Sequence, residues 1–232
     1  MIREILTNLL SFYEQKVGRT MVTREMSDIE FIQTLRGFNK PYFTVADLEK
    51  ILEMKRDSLY VTLNRLVKEG VLIRLRRGVY QPEFQGLELE RTANELYYPS
   101  YLSFESALSR YGILSQIPYT LTFATYRRSK KILLRDREVE YRQLKKEYFF
   151  GYKLEKGLYI AEPEKAVLDQ LYMISKGKAS SEISEWSLIG LKKGKLFQYS
   201  KYFPKAVQIS AKNLTPGFGR NIATIDGKAN FN

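Results

Sequence analysis

The stretch that decides the fold runs from Glu53 to Tyr80 and reads EMKRDSLYVTLNRLVKEGVLIRLRRGVY. Within it, Leu59, Leu63 and Leu66 recur at three- and four-residue steps, which predicts an amphipathic helix. The following segment alternates apolar and basic residues and then turns at an Arg-Gly pair, which predicts a β-hairpin. A helix followed directly by a hairpin is typical of the second half of a winged helix.

The residues before this helix predict the first half of the motif. Thr44, with Asp47 three residues later, is a capping signal at the start of a helix with regular apolar spacing. Residues 53–56 then make a short turn, and Asp57 or Ser58 is expected to cap the next helix. Two helices joined by a three- or four-residue turn form a helix-turn-helix. The sequence also predicts helices over residues 1–17 and 27–35 and a short strand at Tyr42-Phe43.

The predicted helix and hairpin are basic within an otherwise neutral part of the chain. Between residues 55 and 80 there are seven cations against Asp57 and Glu69. A basic helix fits the major groove of DNA, where Arg65 suits guanine and Asn64 suits adenine, and a basic hairpin fits phosphates or the minor groove. We therefore expect double-stranded DNA as the partner, with a winged helix that binds only protein as the alternative. The expected DNA-binding residues are Lys55, Arg56, Ser58, Tyr60, Val61, Asn64, Arg65, Lys68, Arg74, Arg76 and Arg77, with Thr62 on the same exposed face.

Composition excludes several classes of chemistry. The chain has 232 residues with no cysteine and no histidine, which removes disulfides, thiolate zinc sites, imidazole ligands and histidine-dependent triads. Its net charge of +12 favours a polyanionic partner. No stretch approaches the apolar length of a membrane span, and Glu4 and Glu14 do not fit a signal peptide. We therefore expect a cytoplasmic protein without a membrane partner.

Near residue 85 the composition changes: tyrosines become more frequent, and basic residues outnumber acidic ones. The expected fold class is α+β: a winged helix-turn-helix domain with an extra N-terminal helix over residues 1–85, a mixed α/β domain over 86–214, and a flexible tail over 215–232. The N-terminal helix packs on its own domain by default, and a homodimer through it is the alternative. For the second domain, the sequence predicts a helix at 104–111 that Ser103 caps, a helix from Pro163, and one or two helices between Lys195 and Leu214. It also predicts strands at 119–126, 147–154 and 157–161.

Two charged groups in the second domain are candidate sites. The loop that carries Arg127, Arg128, Lys130 and Lys131 is either a second patch for nucleic acid or another partner, or a solvated loop. Three carboxylates are spaced for a Mg²⁺ site, but the favoured interpretation is structural: a helix start, with the last carboxylate capping or pairing with an arginine. No cofactor is expected. These carboxylates are Glu162, Glu164 and Asp169.

The chain has 17 tyrosines and 13 phenylalanines, which raises the question of base stacking. Aromatic side chains also fit half-buried strand surfaces, and most are expected there. The sequence alone therefore predicts no RNA-binding surface.

Three segments in the second half of the chain, taken together, resemble those of a known protein family. Residues 98–112 read YPSYLSFESALSRYG, residues 122–129 read TFATYRRS, and residues 160–169 read IAEPEKAVLD, behind a winged helix that ends in RGVY. Over roughly residues 27–212 the chain resembles the AbiEi-type antitoxins of type IV, abortive-infection toxin–antitoxin systems, a form of antiviral defence. The resemblance implies a transcriptional autorepressor whose N-terminal domain binds repeats in its own promoter. It also implies that the C-terminal domain counteracts a co-encoded nucleotidyltransferase-type toxin.

Two other classes of function stay open at this point. One is a carboxylate-dependent nucleic-acid enzyme that uses the winged helix for targeting, although histidine and Asp-x-Asp motifs are absent. The other is an adaptor whose winged helix binds protein. The expectation is a non-enzymatic DNA-binding repressor and antitoxin.

Overall fold

A computed structural model describes residues 27–38, 40–83, 88–179 and 183–214. The chain forms two compact units, residues 1–39 and residues 40–232. The described part of the first unit is helix α1 (Asp28–Arg36), which Ser27 caps through reciprocal hydrogen bonds with Glu30. The helix predicted over residues 1–17 and the tail predicted over 215–232 lie outside the described residues.

The second unit begins with the predicted helix-turn-helix and hairpin. Its three strands form an antiparallel sheet in the order β1-β3-β2. This arrangement confirms the winged helix. The elements are β1 (Phe43–Thr44), α2 (Val45–Leu52), α3 (Arg56–Lys68), β2 (Leu72–Arg76) and β3 (Val79–Pro82).

The start of α2 is as predicted, but the start of α3 is not. Thr44 caps α2 by accepting a hydrogen bond from the Asp47 amide at 3.1 Å. The prediction that Asp57 or Ser58 caps α3 is wrong, because the helix begins at Arg56 and its N-cap, Lys55, makes no side-chain capping bond. The turn is therefore only three residues long, and the Leu59 amide already donates to the Lys55 carbonyl at 2.9 Å.

The second part of this unit is built on a mixed six-stranded sheet in the order β6-β7-β5-β4-β9-β8. β4 pairs with β9, and β5 with β7, in parallel, and the other neighbours are antiparallel. The strands are β4 (Ser100–Leu102), β5 (Leu121–Thr125), β6 (Lys130–Leu134), β7 (Arg137–Gln143), β8 (Tyr152–Glu155) and β9 (Leu158–Ala161).

Five α-helices accompany this sheet in the described residues. Pro163 is the first residue of α6, as predicted, because its missing amide and fixed φ suit that position. The strand predicted over 147–154 is wrong in its first half: a 3-10 turn (Lys146–Tyr148) stands there, and it buries the Tyr148 ring against Tyr172 and Phe203. The helices are α4 (Leu89–Leu96), α5 (Phe104–Arg110), α6 (Pro163–Ser175), α7 (Lys193–Ser200) and α8 (Lys205–Asn213), with a second 3-10 turn at Ile183–Glu185.

The wing and the six-stranded sheet share one hydrophobic core. Leu75 and Val79 of the wing are buried in the same cluster as the side chains of the large sheet. The Arg135 amide, in the β6–β7 turn, donates a hydrogen bond to the Leu75 carbonyl at 2.7 Å. The wing is therefore held against the second sheet, and the domain boundary near residue 85 stays a prediction.

No helix within the described ranges combines the length and the apolar character that a membrane crossing requires.

Candidate nucleic-acid interface

Helix α3 has one buried face and one solvent face. Leu59, Leu63 and Leu66 are fully buried and anchor the helix on the winged-helix core. Because residues three and four apart share a helix face, the opposite side is presented to solvent. The exposed residues of α3 include Arg56, Ser58, Tyr60, Val61, Asn64, Arg65 and Lys68.

Val61 lies at the centre of this solvent face. Its side chain is 71% exposed, which is unusual for a β-branched apolar residue in the middle of a helix. An apolar side chain at such a position can contact the methyl group of thymine. Thr62 does not belong to this face: it is half-buried, and its hydroxyl donates to the Ser58 carbonyl at 3.2 Å. The expectation that Thr62 is presented with Val61 is wrong, because the hydroxyl satisfies a local bond instead.

Arg65 is oriented along the helix by a carboxylate. Its Nη1 lies 2.7 Å from Glu69 Oε2, one helical turn further on, and both side chains are about half exposed. The pair keeps the guanidinium on the solvent face, where a guanine edge can replace the carboxylate. An exposed i,i+4 pair of this kind stabilises a helix by only about 0.3–0.5 kcal/mol.

The Arg65–Glu69 pair gives a first prediction. Glu69→Gln is expected to raise the affinity for duplex DNA several-fold, because it removes a negative charge from the interface and a competitor for Arg65. The free energy of unfolding is expected to change by less than about 1 kcal/mol. Urea unfolding and gel shifts measure the two quantities. Weaker DNA binding by this variant would mean that Glu69 holds Arg65 in its binding position rather than competing with DNA.

The remaining cations of the helix-turn-helix flank this face. Arg56 pairs with Glu49 of α2 at 3.5 Å, which links the two helices of the motif across the turn. Lys55 and Lys68 are exposed, and neither forms an ion pair with a residue of the described ranges. They lie just before α3 and at its last residue, where side chains can reach the phosphates on either side of a groove.

The wing presents two further exposed cations, Arg74 and Arg77. A β-bulge between Arg74 and Arg76 shifts the β2–β3 register, so Leu72 and Leu75 are both buried while the arginines stay exposed. The turn closes at Gly78, whose φ of 77° is unfavourable for other residues. The wing is therefore a short, fixed hairpin with its charges toward solvent.

Arg76 differs from these two because its charge also acts on the second sheet. Burial raises the pKa of the Tyr141 hydroxyl, and the positive charge of Arg76 opposes that increase. Arg76 is exposed but lies near the junction between the wing and the six-stranded sheet.

The predicted second patch spans the loop between β5 and β6 and the first two residues of β6, and all four of its cations are exposed. Arg127 lies over the Tyr97 ring at 4.3 Å and donates a hydrogen bond to the Tyr98 carbonyl at 2.8 Å. Lys130 lies over the same ring at 5.2 Å. Lys131 is turned toward the sheet and pairs with Glu138 at 3.2 Å and Glu140 at 3.8 Å. Arg127, Arg128 and Lys130 keep their charge toward solvent.

The three carboxylates spaced for Mg²⁺ contact different partners. Glu162 accepts hydrogen bonds from Lys195 and Tyr199, each at 2.6 Å. Glu164 accepts from the Lys192 amide at 2.8 Å, and Asp169 is buried in the core. Burial opposes ionisation of Glu162, but these hydrogen bonds lower its pKa. Within the described residues, no three metal-ligating side chains come together.

Asp169 belongs to a buried network that sequence reasoning missed. It pairs with Lys165 and accepts hydrogen bonds from the Tyr101 hydroxyl at 3.0 Å and the Ser103 hydroxyl at 2.8 Å. Burial lowers the pKa of Lys165 and raises that of Asp169, and the ion pair opposes both changes. The expected arginine partner is wrong. Ser103 makes no capping bond with its side chain because its hydroxyl points to Asp169. The Lys-Asp spacing of four residues within an apolar helical run is the signal that could have found the network.

The comparisons with known proteins bear on the winged helix. Residues 30–82, from α1 to β3, match the family model described as the AbiEi antitoxin, a transcriptional regulator. A search of the curated proteins found no match. The family match confirms the resemblance to the AbiEi-type antitoxins over this segment. It supports an antitoxin and transcriptional regulator role that includes DNA binding.

Proposed function

We propose, from the match of residues 30–82 and the solvent face of α3, that this chain is a non-enzymatic autorepressor and antitoxin. It binds double-stranded DNA at repeats in the promoter of its own operon through α3 and the wing. Residues 86–214 counteract a co-encoded nucleotidyltransferase-type toxin, as the resemblance implies. The observation that carries the DNA part is the exposed, cation-flanked face of α3 opposite its buried leucines.

The solvent face of α3 has the length of a base-reading surface. Val61, Arg65 and Lys68 are four and three residues apart, so they lie on one stripe of the helix. The stripe is about 10 Å long at 1.5 Å per residue, which corresponds to about three base-pair steps. Asn64 adjoins this stripe and is exposed. Arg65 in the stripe and Asn64 beside it supply bidentate donors and acceptors for guanine and adenine edges.

The wing supports this docking from the side. Arg74 and Arg77 are exposed on a hairpin that the second sheet holds in place through Leu75. Because a fixed hairpin loses little conformational entropy on binding, its cations can grip phosphates without first becoming ordered. In this arrangement α3 contacts the base edges, and the wing contacts the phosphate backbone of the DNA.

The two alternative functions have less support. A carboxylate enzyme needs acidic groups that act together, and Glu162, Glu164 and Asp169 each contact separate partners. A protein-binding winged helix is expected to have an apolar patch, whereas the exposed apolar side chains of α3, Tyr60 and Val61, lie among charged and polar residues. These neighbours are Asp57, Ser58, Asn64 and Arg65.

The experiment that tests this proposal compares a base-reading residue with phosphate-binding residues. Arg65→Ala is expected to cost about 1–3 kcal/mol on the cognate promoter duplex and to relax the sequence preference. Arg74→Ala and Arg77→Ala are expected to weaken binding to every duplex alike and to reduce the slope of log affinity against log salt by about one each. Gel shifts with a cognate and a scrambled duplex, across a salt series, measure both quantities.

A matched control is Lys176→Ala, which removes an exposed cation at the end of α6. This variant is expected to bind both duplexes as the parent does. Unchanged binding in all three arginine variants would remove the DNA assignment for α3 and the wing and would favour the adaptor alternative.

A further inference from the structure

Four tyrosines from separate segments form one surface at the β4, β8 and β9 strands. Tyr98 precedes β4, Tyr126 follows β5, Tyr152 begins β8 and Tyr159 lies in β9. The rings of Tyr98 and Tyr159 are 6.1 Å apart, and those of Tyr152 and Tyr159 are 5.9 Å apart. The ring of Tyr126 is connected to the other three through Phe149. The Phe149 ring centroid lies 5.0 Å from that of Tyr126 and 5.2 Å from that of Tyr152. We call these four tyrosines the tyrosine surface.

The tyrosine surface is open to solvent. Tyr98 is 61% exposed, Tyr126 40% and Tyr152 37%, whereas Tyr159 is half-buried against the core. Burial raises the pKa of Tyr152, and the hydroxyls of Tyr98, Tyr159 and Tyr126 raise it further. Exposed aromatic rings gathered in this way are a feature of binding surfaces.

The hydroxyls of the tyrosine surface distinguish it from other tyrosines of the chain. None of the four makes a hydrogen bond with a residue that the structure describes. By contrast, the hydroxyls of Tyr97, Tyr111, Tyr119 and Tyr141 each donate to a backbone carbonyl at 2.6–2.9 Å. Those four tie segments of the fold together, whereas the tyrosine surface has no such role in the described part of the chain.

The rings stand on a rigid base. Tyr101 is fully buried and stacks under Tyr152 with centroids 4.6 Å apart and planes at 15°. Its hydroxyl is fixed by Asp169 at 3.0 Å, in the buried Lys165 network. The buried network therefore holds the Tyr152 ring of the tyrosine surface in place. Little side-chain entropy remains to be lost when a flat ligand stacks on this ring.

Cations border the tyrosine surface on one side. Arg127, Arg128 and Lys130 follow Tyr126 closely, and none of the three forms an ion pair with a described residue. Arg127 is fixed beside the rings by its hydrogen bond to the Tyr98 carbonyl. The loop over residues 127–131 contains no acidic residue, so a polyanion is the complementary partner.

We propose that the tyrosine surface and the loop over residues 127–131 bind single-stranded nucleic acid. Unpaired bases stack on the tyrosine rings, and the phosphates lie along Arg127, Arg128 and Lys130. In a duplex the faces of the bases are stacked inside the helix, so this surface takes a single strand rather than the promoter duplex. The site shares no residue with α3 or the wing, and it does not depend on the proposed repressor function.

The test uses the full-length protein and fluorescein-labelled 12-nucleotide strands of oligo(U) and oligo(dU), which differ only in the 2′-hydroxyl, with binding measured by fluorescence anisotropy. Tyr98→Ala/Tyr126→Ala is expected to lower the affinity for both strands about a hundredfold, about tenfold for each lost ring. Tyr98→Phe/Tyr126→Phe keeps the rings and is expected to bind within about threefold of the parent. Tyr119→Ala, at a tyrosine that is 72% exposed outside the surface, is the matched control and is expected to bind as the parent does.

The same variants are measured with the promoter duplex, which is expected to bind unchanged and so also reports correct folding. Single-strand binding is expected to persist when saturating duplex is present, and a preference for one of the two strands identifies the source as RNA or DNA. Three results would overturn the proposal: no binding of either strand, equal loss in Tyr119→Ala, or complete displacement by the duplex. If neither strand binds, a protein becomes the favoured partner of the tyrosine surface.

Discussion

Val61→Glu is expected to lower the affinity of the full-length protein for its promoter duplex about a hundredfold, or about 2.7 kcal/mol. The side chain stands at the centre of the exposed face of α3, between Arg65 and the start of the helix. A carboxylate there faces base edges and phosphates across a desolvated contact, where like charges repel strongly. The folded state is expected to be unaffected, because the site is exposed and glutamate is a better helix former than valine.

The matched control for this prediction is Ile209→Glu, which places the same charge on an exposed apolar position of α8. It is expected to leave DNA binding unchanged. Gel shifts measure affinity, and growth during co-expression with the proposed co-encoded toxin measures antitoxin activity, which Val61→Glu is expected to retain. Normal DNA binding by Val61→Glu would exclude α3 as the reading helix, and loss of toxin relief would contradict the proposed separation of the two activities.

Asp169→Ala is expected to destabilise the protein by about 3–5 kcal/mol, a loss far larger than an exposed ion pair can cause. The substitution leaves the fully buried ammonium of Lys165 without its carboxylate partner. Aromatic rings surround that ammonium, with the centroids of Phe203 and Phe150 at 5.1 and 5.2 Å, and they offer no full counter-charge. Tyr101 and Ser103 also lose the acceptor for their hydroxyls.

Urea unfolding at neutral pH measures this loss. Lys165→Met/Asp169→Leu removes both charges together and is expected to recover much of the stability, since an apolar pair of similar volume can replace a buried ion pair. Lys131→Ala breaks an exposed ion pair with Glu138 and is expected to cost less than about 1 kcal/mol. A cost for Asp169→Ala no larger than that of Lys131→Ala would show that the buried network is not required for the fold.

The winged helix could be predicted because its signals are local. The capping box of Thr44 and Asp47, the leucine spacing of α3 and the Arg-Gly turn of the wing each lie within a few neighbouring residues. The resemblance to the AbiEi-type antitoxins, confirmed over residues 30–82, depends in part on this same segment. The start of α3 could not be placed correctly because the left-handed Glu53 already reverses the chain, which composition does not indicate.

The second sheet was only partly predictable because its strands depend on distant partners. β4 has three residues, too few for an alternating pattern, and it is ordered by pairing with β5 and β9. In β7, Val139 and Tyr141 are buried while charged residues alternate with them, so a strand signal was present among the charges. Helix α6 is buried from Glu164 to Met173, which obscures any amphipathic pattern.

The tyrosine surface lay beyond sequence reasoning for a related reason. Its rings come from four segments that sheet pairing brings together, and the sequence shows only that tyrosines are frequent. The basic loop could be identified, but its ring contacts with Tyr97 and its bond to the Tyr98 carbonyl required the fold.

The most direct test of α3 as the DNA-reading helix uses the absence of cysteine from the chain. Glu69→Cys introduces a single thiol at the C-terminal end of α3, at an exposed position whose carboxylate is not needed for DNA binding, and an iron chelate that cleaves nearby DNA can be attached there. We predict strand cleavage confined to a few base pairs within the promoter repeats, with none above background from the same label at Ile117→Cys, an exposed position outside α3 and the wing. Specific DNA binding by the labelled protein without localised cleavage from position 69 would contradict the placement of α3 in the groove.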